Sequence, residues 1–188
     1  MMNPAQQQAL AHFDRGDFRR DLARRVAIPT DSQSGTHAEA LQAYLADEIA
    51  PTLAGMGFAS RLHDNPVAGA PPLLTAERIE DPALPTVLFY GHGDTVRGHE
   101  GQWAEGRDPW TLAEAGERWY GRGSADNKSQ HSINIAATAC VMAARGGRLG
   151  FNAKWLLEMG EETGSPGLAE FCSAQQALLA ADALIASD

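Results

Sequence analysis

The sequence is most informative first for what it has little of. Two cysteines, Cys140 and Cys172, in 188 residues cannot build a disulfide scaffold, and they read as small buried side chains in a reducing compartment. Basic residues are outnumbered, 15 against 24 acidic, and the formal charge of −9 is the wrong sign for a nucleic-acid or anionic-membrane surface. No stretch reaches the ~18 consecutive apolar residues of a membrane span. The start, Met1-Met2-Asn3-Pro4-Ala5-Gln6, lacks the basic-then-apolar pattern of a secretion signal. Repeats and low-complexity tracts are absent. These readings exclude secreted mini-proteins, membrane spans and basic nucleic-acid binders, and they favour a cytoplasmic enzyme or binding domain. Hydrophobic content of 44% and charged content of 21% are those of an ordinary globular chain, long enough to bury a sizeable core.

What is present is organised around residues 86–96. Val87-Leu88-Phe89-Tyr90 is a short apolar run, bounded by Pro85 and by Gly91-His92-Gly93-Asp94, and reads as a buried strand. In open α/β sheets ligands collect beyond the carboxyl ends of such strands. In extended chain, residues two apart point the same way, so His92 and Asp94 share a side. A carboxylate beside an imidazole fixes its tautomer and strengthens it as a metal ligand.

The remaining elements follow from periodicity and punctuation. Residues 5–12 and 17–26 read as helical pieces broken near Gly16, the second with Phe18, Leu22 and Val26 on one face. Residues 38–56 read as a longer helix, bent near Pro51. Strands are expected at 58–63, 73–79, 87–90, 151–159 and 183–186, the last of them buried. A helix is expected at 127–145, with Ile133, Ile135, Ala136, Ala139, Val141 and Met142 inward. Another is expected at 165–179, with Ser165-Pro166 as N-cap and first-turn proline. Residues 97–118 read as a long, functional connection. Strand–helix alternation after residue 85 argues for an α/β fold: a mixed, mainly parallel sheet covered by helices on both faces.

Acidic residues fall at the ends of several of these elements. Asp94 follows one strand. Asp126 lies in Gly121-Arg122-Gly123-Ser124-Ala125-Asp126-Asn127-Lys128, a glycine-rich turn leading into a helix. Glu161-Glu162 follows another strand, and Asp188 the last. Each has a plainer reading when taken alone: His92 as a turn cap, Asp126 as a helix N-cap, the glutamate pair as a solvated loop end, Asp188 as a terminus. Their joint placement on one sheet edge is another matter. Clustered carboxylates repel, and a divalent cation is the economical way to hold them together. Imidazole with carboxylates suits zinc, with cobalt or manganese as substitutes. More acids than one ion needs suggest a two-metal hydrolase with a spare glutamate as general base. Glycoside hydrolysis by two carboxylates would leave His92 unexplained. Among the other histidines, His12, His37 and His63 read as surface residues, and His131 as a helix-face residue.

At these residues the sequence resembles the co-catalytic zinc aminoacylase and carboxypeptidase family, which includes acetylornithine deacetylase, succinyl-diaminopimelate desuccinylase, glutamate carboxypeptidase and carnosinase-like dipeptidases. The resemblance rests on Gly91-His92-Gly93-Asp94-Thr95-Val96, Asp108-Pro109-Trp110, Tyr120 through Lys128, and Gly160-Glu161-Glu162-Thr163-Gly164-Ser165, in that order, and runs from about residue 16 to the end. It implies a zinc-peptidase-like three-layer sandwich that hydrolyses the amide bond of N-acyl amino acids or small peptides with two zinc ions. His92 and Asp188 would bind one ion, Glu162 the other, and Asp126 both. Asp94 would orient His92, Glu161 would be the general base, and the Asp126–Asn127 peptide would be cis. Ser129-Gln130 departs from the glycine common after the motif's lysine. The family's last metal histidine and its lid, which binds the substrate carboxylate and forms a homodimer, would fall beyond residue 188. Residues 1–188 are therefore expected to form the amino-terminal part of the catalytic domain, inactive by themselves. The alternative is a non-catalytic metal-binding or scaffolding remnant of the same fold.

Overall fold

The computed structural model describes residues 2–187. Asp188, expected as a metal ligand, lies outside the described residues. The chain opens with α1 (Pro4–Asp14), capped by Asn3 and Gln6 in a reciprocal capping box, and α2 (Asp17–Val26). The expected helix at 38–56 is three segments in series: α3 (Ala38–Ala43), a π-helical stretch Tyr44–Ile49, and α4 (Ala50–Ala54). Then come β1 (Ala59–His63), β2 (Leu73–Arg78) and β3 (Thr86–His92). The long connection that follows carries a small hairpin of its own, β4 (Ala113–Ala115) with β5 (Arg118–Tyr120), which alternation in the sequence did not reveal. The last elements are α5 (Lys128–Ala144), β6 (Asn152–Glu158), α6 (Leu168–Ala174), α7 (Gln176–Leu179) and β7 (Ala183–Ala186).

The five-stranded sheet has the order β1-β2-β6-β3-β7. β3 pairs in parallel with β6 and β7, whereas β2 runs antiparallel to both β1 and β6. The sheet is therefore mixed, with β2 alone reversed among the described strands. Strand residues alternate between two apolar layers. Phe89, Ala153, Trp155 and Leu157 point into one, with Leu41, Tyr44, Leu45, Ile49 and Leu53 from the α3–α4 run and Ile135 from α5. Leu88, Tyr90 and Leu156 point into the other, beneath Leu168, Phe171 and Leu179 of α6 and α7. A satellite core joins Leu22 and Val26 of α2 to Leu112 and Trp119. The fold is the expected α/β sandwich with helices on both faces.

Three expectations fail locally. Ile133 is exposed rather than inward; it lies two residues, about 200° around the helix, from buried Ile135, so one stripe cannot serve both. Ser165 does not cap a helix: it sits at φ 51, and α6 starts three residues later after Gly167 at φ 80. β7 is exposed along its length, because among the described residues it is an edge strand with β3 as its one neighbour. Among the described residues no helix is long and apolar enough to cross a membrane.

Candidate metal and catalytic site

Because β3, β6 and β7 are parallel, their carboxyl ends open on one edge, and β3 ends there with His92 paired to Glu158, the last residue of β6. The strand end is tightly packed on either side of His92 in the chain. A side chain on Gly91 would meet Asn127 Oδ1 at 2.9 Å and His131 Cβ at 3.1 Å, and one on Gly93 would meet the Tyr44 ring at 2.6 Å and Met159 Sδ at 2.7 Å. Glycine is required on both sides of His92 by close approach. The chain beyond β3 is clamped by the 30–32 segment: Thr95 N–H donates to Thr30 O at 2.9 Å, and Ser32 N–H to Thr95 O at 3.2 Å.

The His92 ring is wholly buried and held at both nitrogens. Nδ1 lies 3.1 Å from the Asp94 carbonyl and 3.3 Å from Asp94 Oδ1. Nε2 faces Asp126 Oδ1 at 3.0 Å and Glu161 Oε2 at 3.8 Å. Burial presses the imidazole toward neutrality, but the Asp94 hydrogen bond and the charges of Asp94, Asp126 and Glu161 outweigh it and raise its pKa to about 9. Asp94 is also fully buried. It accepts from Ser32 Oγ at 2.6 Å and from the backbone N–H groups of Glu161 and Glu162, both at 3.2 Å. A single carboxylate thus ties β3 to the 3₁₀ turn Glu161–Thr163 after β6.

Asp126 is brought in by the glycine-rich turn, which is anchored by its lysine. The buried Lys128 ammonium donates to Arg25 O at 2.9 Å and Ile28 O at 2.7 Å, and lies over the Tyr44 and Trp110 rings. Burial lowers its pKa to about 7, against the opposing pull of Asp94. The Asp126–Asn127 peptide is cis, as the resemblance implies. Glu162 has its carboxyl raised by burial and by the nearby Asp126 charge, while Val96 N–H and His92 oppose the shift. Its carbonyl accepts from Gln33 Nε2 at 3.0 Å.

His92, Asp94, Asp126 and Glu161 therefore meet at one strand end, with Glu162 beside them. Among the described residues no group of three or more His, Cys, Asp or Glu is arranged so that it could hold a metal ion. The chemistry of the donor set nonetheless fits a divalent cation: one imidazole nitrogen and several carboxylates share a field that already favours positive charge on His92. The sequence reading missed Ser32 and Gln33, whose polar turn carries no signature beyond its composition. His131, expected as a helix-face residue, does stand on α5, on its completely buried side. Two signals pointed inward: His131 stands four residues after Asn127 on a helix, and the facing strand carries glycines.

The family model described as Peptidase family M20/M25/M40 matches residues 88–187, and the chain belongs to that family. Over 154 residues, 81% of the chain, it is 32% identical to the Beta-Ala-His dipeptidase of Rattus norvegicus, of which it covers 28%. The crystal structure of human carnosine dipeptidase 1 superimposes with a TM-score of 0.84 at 30% identity, over 97% of this chain and 41% of that one. The metallo-carboxypeptidase Sso-CP2 from Sulfolobus solfataricus superimposes with a TM-score of 0.75 at 25% identity, over 90% and 36%. The chain spans about a quarter of the length of the curated relatives it matches.

Proposed function

We propose that residues 1–188 supply the amino-terminal part of the catalytic domain of a cytoplasmic, metal-dependent peptide hydrolase. In this reading His92 and Asp188 would hold one zinc, Glu162 a second, and Asp126 would serve both. Cobalt or manganese would be chemically acceptable substitutes. The observation that carries the reading is the convergence of Asp126 and Glu161 on His92 Nε2 while Asp94 occupies the Nδ1 side. When bound, the ions would supply polarisation of the scissile carbonyl and a water pKa brought toward neutrality.

The protein's own groups do the rest. Asp94 keeps the His92 ring in one orientation and leaves Nε2 facing the open edge. Because the same carboxylate accepts the Glu161 N–H, the general base is fixed to the same anchor as the ligand. Glu161 takes a proton from the attacking water and delivers it to the departing nitrogen, exchanging base for acid within one turnover. Small peptides or N-acyl amino acids are the substrate class, as the dipeptidase relatives suggest. Substrate carboxylate recognition and homodimer formation fall to a lid domain outside these residues.

The reading is tested in an enzyme of the relatives' length that carries this chain as its amino-terminal part. Glu161→Ala retains its metal by elemental analysis and loses about 10²–10⁴-fold in hydrolysis of a β-alanyl dipeptide. Unchanged turnover would remove Glu161 from the mechanism. Metal binding without turnover in the parent enzyme would favour a non-catalytic remnant.

A further inference from the structure

We infer that Tyr44 and His131 are positioning residues: with Asn127 they form a buried, hydrogen-bonded strut that sets where His92 stands relative to the Asp126 turn. The inference rests on the proposed metal site for its purpose, while its geometry stands independently. The donors and acceptors can be assigned in sequence. His92 N–H is a donor and faces Asn127 Oδ1 at 3.3 Å, which fixes the orientation of that amide. The Asn127 amide nitrogen in turn donates to the carbonyl of Ser187, just after β7. Since Oδ1 only accepts, His131 Nδ1, 3.2 Å away, carries the imidazole proton. His131 Nε2 is then an acceptor, and the Tyr44 hydroxyl, at 2.6 Å, donates to it.

One chain of hydrogen bonds thus runs from the π-helical stretch, through α5, to the carboxyl ends of β3 and β7. The neighbouring sequence accommodates it at several points. Gly91 admits Asn127 and His131, and Gly93 admits the Tyr44 ring. Tyr44 is the first residue of a π-helical stretch, a local widening that recurs at functional sites. Tyr44 and His131 are completely buried, packed with the aliphatic and aromatic side chains of the main core and with the buried cations Lys128 and Arg25 close by. Filling that space with leucine and phenylalanine would avoid the cost of burying a hydroxyl and an imidazole, so a fully satisfied polar pair here specifies a position rather than merely occupying volume.

The test uses the 188-residue chain with ¹⁵N-labelled histidine and Co²⁺ as the metal probe. In the parent, long-range ¹H–¹⁵N spectra show His131 as the neutral Nδ1–H tautomer. Tyr44→Phe, which deletes one hydroxyl, shifts the His92 ring nitrogens, accelerates exchange of the His92 amide, and weakens Co²⁺ binding by about 3–10-fold. His131→Leu weakens it by about 10–100-fold, the range for losing a group that orients a ligand. His131→Gln, which restores a donor toward Asn127, recovers most of the loss. An Nε2–H tautomer at His131, or Tyr44→Phe spectra and amide exchange equal to the parent's, would overturn the strut. Equal Co²⁺ binding with unmoved His92 signals leaves the metal reading standing and the strut refuted. A parent that binds no Co²⁺, with His92 signals that still move in the variants, gives the reverse.

Discussion

Asp94 receives Ser32 Oγ, two backbone N–H groups and the His92 ring, all of them donors in this geometry. A carboxylate satisfies them because it only accepts; an amide of the same shape must turn its NH₂ toward at least one. Asp94→Asn is therefore expected to destabilise the fold by about 1–3 kcal/mol, the cost of an unmet buried hydrogen bond, and to weaken Co²⁺ binding by about 10–100-fold. Thermal unfolding and Co²⁺ titration check both numbers; parental values would show that His92 needs no such anchor. At this scale the sequence was most legible where spacing has one meaning. His92 and Asp94 lie two apart at a strand end, and Asp126 and Glu161 lie in glycine-bounded turns. It was least legible where partners are far apart in the chain. His131 looks like any polar helix residue until Tyr44, 87 positions away, is folded against it.

At the scale of elements, turns hold the sheet in register as much as strands do. Glu80, just after β2, accepts Leu149 N–H at 2.7 Å and Gly150 N–H at 3.0 Å ahead of β6, and pairs with Arg78. Those backbone donors, with Arg78 adding to them, hold its carboxyl down at about 2. A carboxyl lowered on folding contributes stability above its unfolded value near 4.5 and loses it as pH falls toward 2. The parent is thus expected to lose melting temperature between about pH 4.5 and 2 through this group, and Glu80→Gln to lower stability at neutral pH while flattening that acid limb. Parallel acid limbs in parent and variant would refute the linkage. Strand positions were readable from apolar runs, and helix α5 from its length. The β4–β5 hairpin was hidden because three-residue strands carry too little alternation to register. The π-helical stretch was hidden because its apolar spacing still resembles that of an α-helix. Ser165 misled because a serine–proline pair also suits an irregular turn between Gly164 and Gly167, both at positive φ.

At the scale of the molecule, the parallel run of β3, β6 and β7 and the helices on both faces followed from alternation of elements, but the reversal of β2 and which strands lie at the edges did not, since these depend on what pairs with what. The four-residue apolar strand Ala183–Ala186 reads as interior and stands at the rim, with Leu184 63% and Ile185 41% exposed. Among the described residues its second side has no partner strand. An apolar edge with free backbone donors and acceptors is a template for pairing, and a single inserted charge is the usual guard against it. The 188-residue chain is therefore expected to self-associate in solution as concentration rises, through β7. Leu184→Lys should shift it toward monomer with little change in melting temperature, because the substituted side chain is already exposed. Sedimentation equilibrium of the two proteins decides the matter. A concentration-independent monomer for the parent, or association unchanged by the lysine, would mean that the rim is guarded in some other way. The same substitution leaves the Asp94, Asp126 and Glu161 contacts to His92 in place, so Co²⁺ affinity per chain should match in the two proteins even as their assembly differs.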